Sequence, residues 1–120
     1  MEKPKAIGPY SHAVRAGNLL FVSGQVPIDP AHGKIMETTI QAQTRQVLAN
    51  IEAVLRSEGL TLENVVKAEV YMKDLSQFQE MNAVYAEIFS FPVKPARQAM
   101  QVARLPMDAL IEISCIAYFP

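Results

Sequence analysis

The stretch "NVVKAEVYMKDL" (64–75) alternates along its length between two kinds of side chain. One set of alternate residues is wholly apolar: Val66, Ala68, Val70 and Met72. The other set is mixed: Val65, Lys67, Glu69 and Tyr71. A period of two is that of an extended chain, in which successive side chains point to opposite faces. The sequence therefore predicts a β-strand with one face in a hydrophobic core and the other face outside it.

Helical periodicity flanks this strand on both sides. Before it, apolar residues recur at helical spacing between a threonine cap, at Thr38 or Thr39, and Gly59, which predicts a helix over about 39–58. After it, Ser76 is expected to cap a second helix that runs to the Phe91-Pro92 break. The apolar stripe of this second helix consists of Phe78, Met81, Tyr85, Ile88 and Phe89. Asn82 lies on the stripe, and we expect its amide to tie the helix to a loop, with a site role as the alternative.

Further strands are predicted at 18–24, at about 97–104 and at about 110–119. The segment "VPIDPAHGK" (26–34) carries two prolines and a glycine and is expected to be a loop. Four or more strands with two amphipathic helices suit an α+β sandwich in which both helices pack on one side of the sheet. We expect one domain over 1–120, because two domains of this total length would each be marginally stable.

The second side of this sheet has no predicted cover. Its apolar residues are Phe21, Val65, Tyr71, Leu110, Ile116 and Tyr118, and they are interspersed with Ser23, Lys67, Glu69, Gln101 and Glu112. Such a face is too apolar for water and too polar for a dry core. It predicts contact with another copy of the chain, and therefore a homo-oligomer with polar sites at its seams.

In "FPVKPARQAMQVARLP" (91–106), Arg97 opens a strand just after two prolines. Alternation along this strand predicts that Arg97, Ala99 and Gln101 share the open face with Glu112, while Met100 and Val102 face the helices. A rigidly held guanidinium suits an anionic small molecule, and a nearby carboxylate is suited to positioning or activating water. The plainer alternative is an Arg97–Glu112 salt bridge between subunits, with no ligand.

Bulk composition argues against several classes of protein. The 11 basic and 12 acidic residues are interspersed and sum to a net charge of -1, so no basic surface is predicted for nucleic acid or for a membrane. The single cysteine, Cys115, and an N-terminus without a signal-peptide core lead us to expect a cytoplasmic protein. His12 and His32 have no partners at metal-ligand spacing, and Cys115 is interpreted as a small buried hydrophobe.

Several segments, in order along almost the whole chain, resemble the RidA/YjgF family of reactive-intermediate deaminases. They are "IGPYSHAV" (7–14), "GNLLFVSGQVPIDP" (17–30), "NIEAVLRSEGLTLENVVKAEVYMKDLSQFQEMNAVYAEIF" (50–89) and "PARQAMQVARLP" with "IEIS" (95–114). The resemblance implies a chorismate-mutase-like fold, a homotrimer whose sheets form a central barrel, clefts between subunits and no cofactor. It also implies hydrolysis of the enamine or imine acids released by pyridoxal-phosphate-dependent dehydratases, such as 2-iminobutanoate and 2-iminopropanoate, to 2-keto acids and ammonia.

The same resemblance implies roles for individual residues. Arg97 is expected to clamp the substrate carboxylate, and Glu112 to hold the water that attacks the imine carbon. Ala99 is expected to act on the substrate nitrogen through its backbone carbonyl.

Three residues near the N-terminus are matched in the same way. Tyr10 is expected to border the cleft, with a surface aromatic as the alternative. The Ser23 hydroxyl is expected to bind substrate or water, or else to serve the turn before Gly24. Gly24 is expected to let the backbone approach the ligand, with a β-bulge as the alternative.

The chain departs from the commonest family pattern at three positions. Gln98 and Ala99 stand where many relatives carry serine and cysteine, and Ser114 stands where glutamate is frequent. Alanine keeps the backbone carbonyl but excludes thiol-based regulation, and the pocket shape and substrate preference stay open. A non-catalytic trimer that senses a small carboxylate through Arg97 is the alternative function. The balanced charge disfavours a ribonuclease or translation inhibitor, because RNA binding ordinarily requires a basic surface.

Overall fold

The computed structural model describes residues 2–120, which form one five-stranded mixed sheet, a small hairpin and two α-helices. The strands are β1 (Ala13–Ala16), β2 (Leu19–Gln25), β3 (Ile28–Asp29), β4 (Lys34–Ile35), β5 (Val65–Met72), β6 (Ala96–Gln101) and β7 (Ile111–Tyr118), and the helices are α1 (Ile40–Ser57) and α2 (Phe78–Ile88). The sheet order is β1-β2-β7-β5-β6, in which only the β5–β6 pair is parallel, and β3 pairs with β4. The predicted α+β class with two helices and a mixed sheet is confirmed.

Both helices pack on the same face of the sheet. The hydrophobic core lies between the helices and the sheet. It includes alternate residues of β7, namely Ile111, Ile113, Cys115 and Ala117, which are all at most 4% exposed. The stripe predicted for α2 enters the same core, with Met81, Tyr85 and Phe89 buried. Thr39 caps α1 by accepting a hydrogen bond from the backbone of Ala42 at 3.1 Å, as predicted.

Several predicted element boundaries are wrong. Ser76 does not cap α2: Asp74 accepts from the backbone of Ser76 at 2.9 Å and starts a short 3-10 turn (Leu75–Gln77) that leads into α2. The segment predicted to be a loop contains the β3–β4 hairpin, which Gly33 turns with a positive φ of 70°. The prediction also missed β1, whose short run pairs with β2 across the turn at Gly17, where φ is 61°.

A bulge at the start of β5 reverses the faces predicted for its first two residues. The register of β5 against β7 shifts between Val65 and Lys67. Val65 consequently points into the core at 4% exposed, whereas Val66 is 46% exposed. One extra residue in a strand inverts the face of everything before it. The faces predicted for Lys67 through Met72 are confirmed.

The uncovered face of the sheet carries large apolar side chains, among them Phe21 and Tyr118 as predicted, whereas Leu110, which was also predicted there, packs against the main core. Residues that pair across neighbouring strands point to the same face of a sheet. On the uncovered face, five large apolar side chains are 37 to 57% exposed: Val14, Leu19, Phe21, Met100 and Tyr118. We call it the open face. Within residues 2–120 we find no helix that is long and apolar enough to cross a membrane.

A buried amide ties α1 to the segment around β3. Asn50 is fully buried, and its Nδ2 donates to the carbonyl oxygens of Val26, at 3.2 Å, and Ile28, at 2.9 Å. Its own Oδ1 accepts from Gln46 at 2.9 Å. The amide therefore satisfies two backbone carbonyls that have little access to water.

Replacing Asn50 by alanine is expected to lower the free energy of unfolding by about 2 to 4 kcal/mol, because both carbonyls lose their donor inside the core. Urea unfolding at fixed protein concentration measures this value. Gln46→Ala is the matched control, since it removes only one, more accessible hydrogen bond and should cost about 1 kcal/mol. Equal losses in the two variants would contradict the role assigned to Asn50.

Candidate functional site

Glu112 lies on the open face, in the middle of the sheet. It pairs with Tyr71 of β5, and its neighbours Ile111 and Ile113 point into the core. Its carboxylate borders a cavity of about 480 Å³, whose lining includes Gly24, Tyr71, Arg104 and Ser114. Four separate parts of the chain, β2, β5, β7 and the segment before β7, thus meet around one carboxylate.

The carboxylate of Glu112 lies directly against the backbone of Gly24. A Cβ atom at Gly24 would be 2.2 Å from Glu112 Oε2 and 2.8 Å from its Cδ, well inside van der Waals contact. The register of β2 against β7 also shifts between Val22 and Gln25. The alternative interpretation of Gly24, a β-bulge, is therefore confirmed. The close approach that the structure shows is made by the Glu112 side chain, and an approach of the Gly24 backbone to a ligand stays a prediction.

Burial raises the pKa of the half-buried Glu112 carboxyl above its usual range. Among residues 2–120 we find no hydrogen-bond partner for this carboxylate. A second carboxylate nearby is occupied instead: Glu69 Oε2 accepts from the hydroxyl of Tyr71 at 2.9 Å and from Gln98 Nε2 at 3.2 Å. The bond to Glu69 is also the main cause that raises the pKa of Tyr71. Glu112 thus keeps its oxygens available for water or a ligand.

Arg97 does not share the open face with Glu112, and that part of the sequence prediction is wrong. In the parallel register of β6 against β5, Arg97 pairs with Ala68, which is fully buried on the helix side. Ala99 also packs against the main core, while Met100 is 38% exposed on the open face. The alternation in β6 is as predicted, but the two faces are exchanged. Within one copy of the chain, Arg97 and Glu112 therefore point to opposite sides of the sheet.

Side chains of α2 hold the Arg97 guanidinium in place. Its Nη1 donates to Asn82 Oδ1 at 2.6 Å, and its Cζ lies 4.7 Å from the ring centre of Tyr85 and 5.3 Å from that of Phe78. Stacking on aromatic rings and one hydrogen bond restrict the orientation of the guanidinium plane. Asn82 therefore ties α2 to a strand residue and not to a loop. The sequence placed Asn82 on the helix stripe but did not reveal this partner.

A second cavity, of about 340 Å³, opens beside Arg97. Tyr85, Phe89, Lys94 and Pro95 contribute to its walls. The Tyr85 hydroxyl is buried without a hydrogen-bond partner among the described residues, and burial raises the pKa of Tyr85 to about 12 in spite of the opposing effect of Arg97. The cavity thus joins a fixed cation to apolar walls, an arrangement that suits a small organic anion.

The other predicted residues near the N-terminus lie in one hydrogen-bonded segment. The Ser23 hydroxyl donates to the carbonyl of Ser11 at 2.6 Å, and the backbone of Ser23 donates to that of His12 at 2.9 Å. Tyr10 is 43% exposed and stands edge-on to His12, with ring centres 6.3 Å apart. The Ser23 hydroxyl thus secures the chain that carries Tyr10 beside the end of β2.

Neither the cysteine nor the potential metal ligands among residues 2–120 form a further candidate site. Cys115 is buried, and burial raises the pKa of its thiol to about 12, as expected for a hydrophobic core residue. Within residues 2–120, no group of three or more histidine, cysteine or carboxylate side chains is arranged to bind a metal ion.

Known proteins resemble this chain over nearly its whole length. A RutC family protein of Pyrococcus horikoshii is 56% identical over 115 residues, which are 96% of this chain and 90% of that protein. The chloroplastic Reactive Intermediate Deaminase A of Arabidopsis thaliana is 44% identical over 95% of this chain and 60% of its own length. The crystal structure of E. coli TdcF with bound serine is 38% identical and matches with a TM-score of 0.94, covering 99% of this chain and 94% of that one.

A family model described as Endoribonuclease L-PSP matches residues 1–119. Since the match covers almost the entire chain, and the relatives include a protein named as a reactive intermediate deaminase, the resemblance expected from the sequence is confirmed. The chain belongs to the family described as endoribonuclease L-PSP, which is the YjgF/RidA family.

Proposed function

We propose that this protein is a deaminase that hydrolyses 2-imino acids, such as 2-iminobutanoate and 2-iminopropanoate, to 2-keto acids and ammonia. The observation that carries the proposal is the half-buried Glu112 carboxylate, which has a raised pKa, no partner among the described residues and a cavity in front of it. A carboxylate in this setting is a better base toward water than an exposed glutamate. The name of the Arabidopsis relative supports the same activity.

In the proposed reaction Glu112 holds one water molecule. It accepts a proton from this water as the oxygen bonds to the imine carbon, which gives a tetrahedral intermediate. This proton passes on to the nitrogen, which becomes an amino group. The hydroxyl proton of the intermediate is then transferred to the same nitrogen as the carbon–nitrogen bond breaks, so that ammonia leaves and the carbonyl of the 2-keto acid forms. Orienting one water against one carbon supplies acceleration by proximity, with no cofactor in the scheme.

Arg97 is proposed to bind the substrate carboxylate through a bidentate contact. Asn82 and Tyr85 already hold the guanidinium in one orientation, so little side-chain entropy remains to be lost on binding. The E. coli relative is described with bound serine, which carries a carboxylate next to an amino group and so resembles an imino acid in shape. We assign the Ala99 carbonyl to the substrate nitrogen, and Tyr10 and Ser23 to the border of the cleft.

We propose that each active site is built from two copies of the chain in a homotrimer. Arg97 and Glu112 point to opposite sides of one sheet, so a single copy offers no common space to both. The open face has exposed Leu19, Phe21 and Tyr118, which an adjacent copy would cover. One copy would then contribute Arg97 and Ala99, and its neighbour Glu112 and Gly24.

A trapping assay tests the deaminase proposal. A threonine dehydratase with threonine releases 2-iminobutanoate, and semicarbazide converts the free imine to a semicarbazone that is followed by absorbance. Addition of this protein is expected to slow semicarbazone formation, because hydrolysis removes the imine first. No effect from a folded protein that still binds 2-oxobutanoate would instead support a carboxylate-binding regulatory module.

Gly24→Ala is expected to lower kcat/KM in this assay by roughly tenfold to a hundredfold, while the free energy of unfolding changes by about 1 kcal/mol or less. The three atoms nearest to a new Cβ belong to the Glu112 side chain, which can rotate away and lose its position at the cavity. Kinetics and urea unfolding of the same preparation separate the two effects.

Gly17→Ala is the control for Gly24→Ala. Gly17 has open space around the position of a Cβ but a positive φ of 61°, so alanine there should reduce stability and leave the kinetics unchanged. Wild-type activity in Gly24→Ala would contradict the proposal that the contact with Gly24 positions the Glu112 carboxylate for catalysis.

A further inference from the structure

Arg104 lines the same cavity as Glu112, and part of its guanidinium has no partner. Its Nε donates to Asp108 Oδ1 at 2.9 Å, an ion pair that lies in solvent with side chains 77 and 62% exposed. Among the residues that the structure describes, neither terminal nitrogen of Arg104 has a hydrogen-bond acceptor. These two nitrogens form the end-on fork that matches the two oxygens of a carboxylate.

The turn that follows Arg104 is held in a strained conformation. Met107 and Asp108 both have left-handed backbone angles, with φ of 58° and 54°, which non-glycine residues seldom adopt. On either side of them Leu105 and Ala109 are buried in a small core cluster with Val26 and Ile28, which anchors the turn. Strain of this kind persists only where the surroundings enforce it, and it occurs most often at functional sites. Here it places the Asp108 carboxylate where it orients Arg104.

Arg104 and Glu112 border the same cavity, which is widely open to solvent in a single copy of the chain. In the proposed complex the reacting carbon of the substrate lies at Glu112, and the substrate carboxylate binds Arg97 of the neighbouring copy. The side chain of the substrate would then extend toward Arg104. Glu112 and Asp108 repel an anion there, and Lys73, whose charge acts on Asp108, opposes that repulsion in part.

We propose that Arg104 is a specificity-determining residue that binds a second carboxylate, carried by the side chain of a dicarboxylic 2-imino acid or of its 2-keto acid product. This inference rests on the proposed function, which gives the location of the reacting carbon. What it predicts is the binding of a ligand, and not the chemical step of its hydrolysis. A guanidinium fork that is oriented through Nε and open at both terminal nitrogens is the feature that selects a carboxylate over an apolar group.

Binding of two keto acids tests this inference without catalysis. Calorimetric titration with oxaloacetate and with 2-oxobutanoate gives a ratio of dissociation constants for each variant. We expect the wild-type protein to bind oxaloacetate more tightly, and Arg104→Gln to reduce this preference by about tenfold or more, because it loses a charge-assisted hydrogen-bond pair. Asp108→Asn should keep or increase the preference, since the asparagine Oδ1 can still accept from Arg104 Nε and asparagine tolerates the left-handed backbone, while the repelling charge is removed.

Arg56→Gln is the matched control. Arg56 also pairs through Nε and a terminal nitrogen with a carboxylate four residues away, Glu52, but it lies on α1 and is absent from the lining of the cavity. This variant should keep the wild-type ratio. An unchanged ratio in Arg104→Gln, or a wild-type protein that does not prefer oxaloacetate, would overturn the inference.

Hydrolysis separates this inference from the proposed function. Iminosuccinate, generated in the assay by an aspartate oxidase, is compared with 2-iminobutanoate as the ratio of their kcat/KM values, and Arg104→Gln should lower that ratio by a similar factor. A wild-type protein that hydrolyses neither imine would refute the deaminase proposal, and the ratio of dissociation constants would still decide the role of Arg104.

Discussion

Replacing Arg97 by alanine is expected to lower kcat/KM for 2-iminobutanoate hydrolysis by about a hundredfold to a thousandfold, the range for losing one partner of a desolvated charge pair. The substrate carboxylate would lose its bidentate partner and would face the walls formed by Tyr85 and Phe89 with only the ammonium group of Lys94 as a cation in the lining. Arg97→Lys keeps the charge but loses the planar fork and its stacking on Tyr85, so its activity should fall between that of Arg97→Ala and the wild type.

The trapping assay with semicarbazide measures this loss, and sedimentation of the same samples verifies the oligomeric state. Arg45→Ala is the control, because Arg45 makes an exposed ion pair with Glu87 at 2.8 Å and faces neither cavity. Full activity of Arg97→Ala in an assembled protein would refute the assignment of Arg97, whereas loss of assembly would make Arg97 an interface residue.

Mixing two inactive variants is expected to restore activity. If Arg97 of one copy and Glu112 of its neighbour form each site, then Arg97→Gln and Glu112→Gln are both inactive alone. Random assembly of equal amounts into trimers pairs an intact Arg97 with an intact Glu112 in about one quarter of the sites. Recovery from near zero to about a quarter of wild-type activity is a large change, and it depends only on where the two side chains point.

The two variants are unfolded together in urea and refolded as a mixture, and the same variants refolded separately and then combined serve as the control. Activity in the first sample alone would support shared sites. No recovery in a mixture that has exchanged subunits would place both residues in one subunit's site, which would require a rearrangement of β6 or β7.

The local rules that relate sequence to structure succeed where each element has a single apolar side. The alternation in β7 and the helical stripe of α2 each identify the residues that enter the core, because burial of apolar area outweighs other preferences there. The N-cap at Thr39 is equally local, since the capping oxygen and the amide of Ala42 are only three residues apart.

The faces of β6 show where such rules stop. Alternation states which residues share a face, but β6 has an apolar residue on both faces, Ala99 on one and Met100 on the other. Only the parallel register with β5 decides that Ala99, and with it Arg97, points to the helices. In the same way the bulge at Val65 is invisible in a sequence that has valine at two consecutive positions.

The order of residues is enough to predict the fold class, the family and the two helices, and it identifies Arg97, Glu112 and Gly24 as candidate site residues. Only the folded chain shows that Glu112 lies against Gly24, that Asn82 holds Arg97, and that the two charged side chains point to opposite sides of the sheet. The difference lies in the distance along the chain over which each effect acts. Propensity and periodicity act between residues a few positions apart, whereas these contacts join strands and helices that only register and packing bring together.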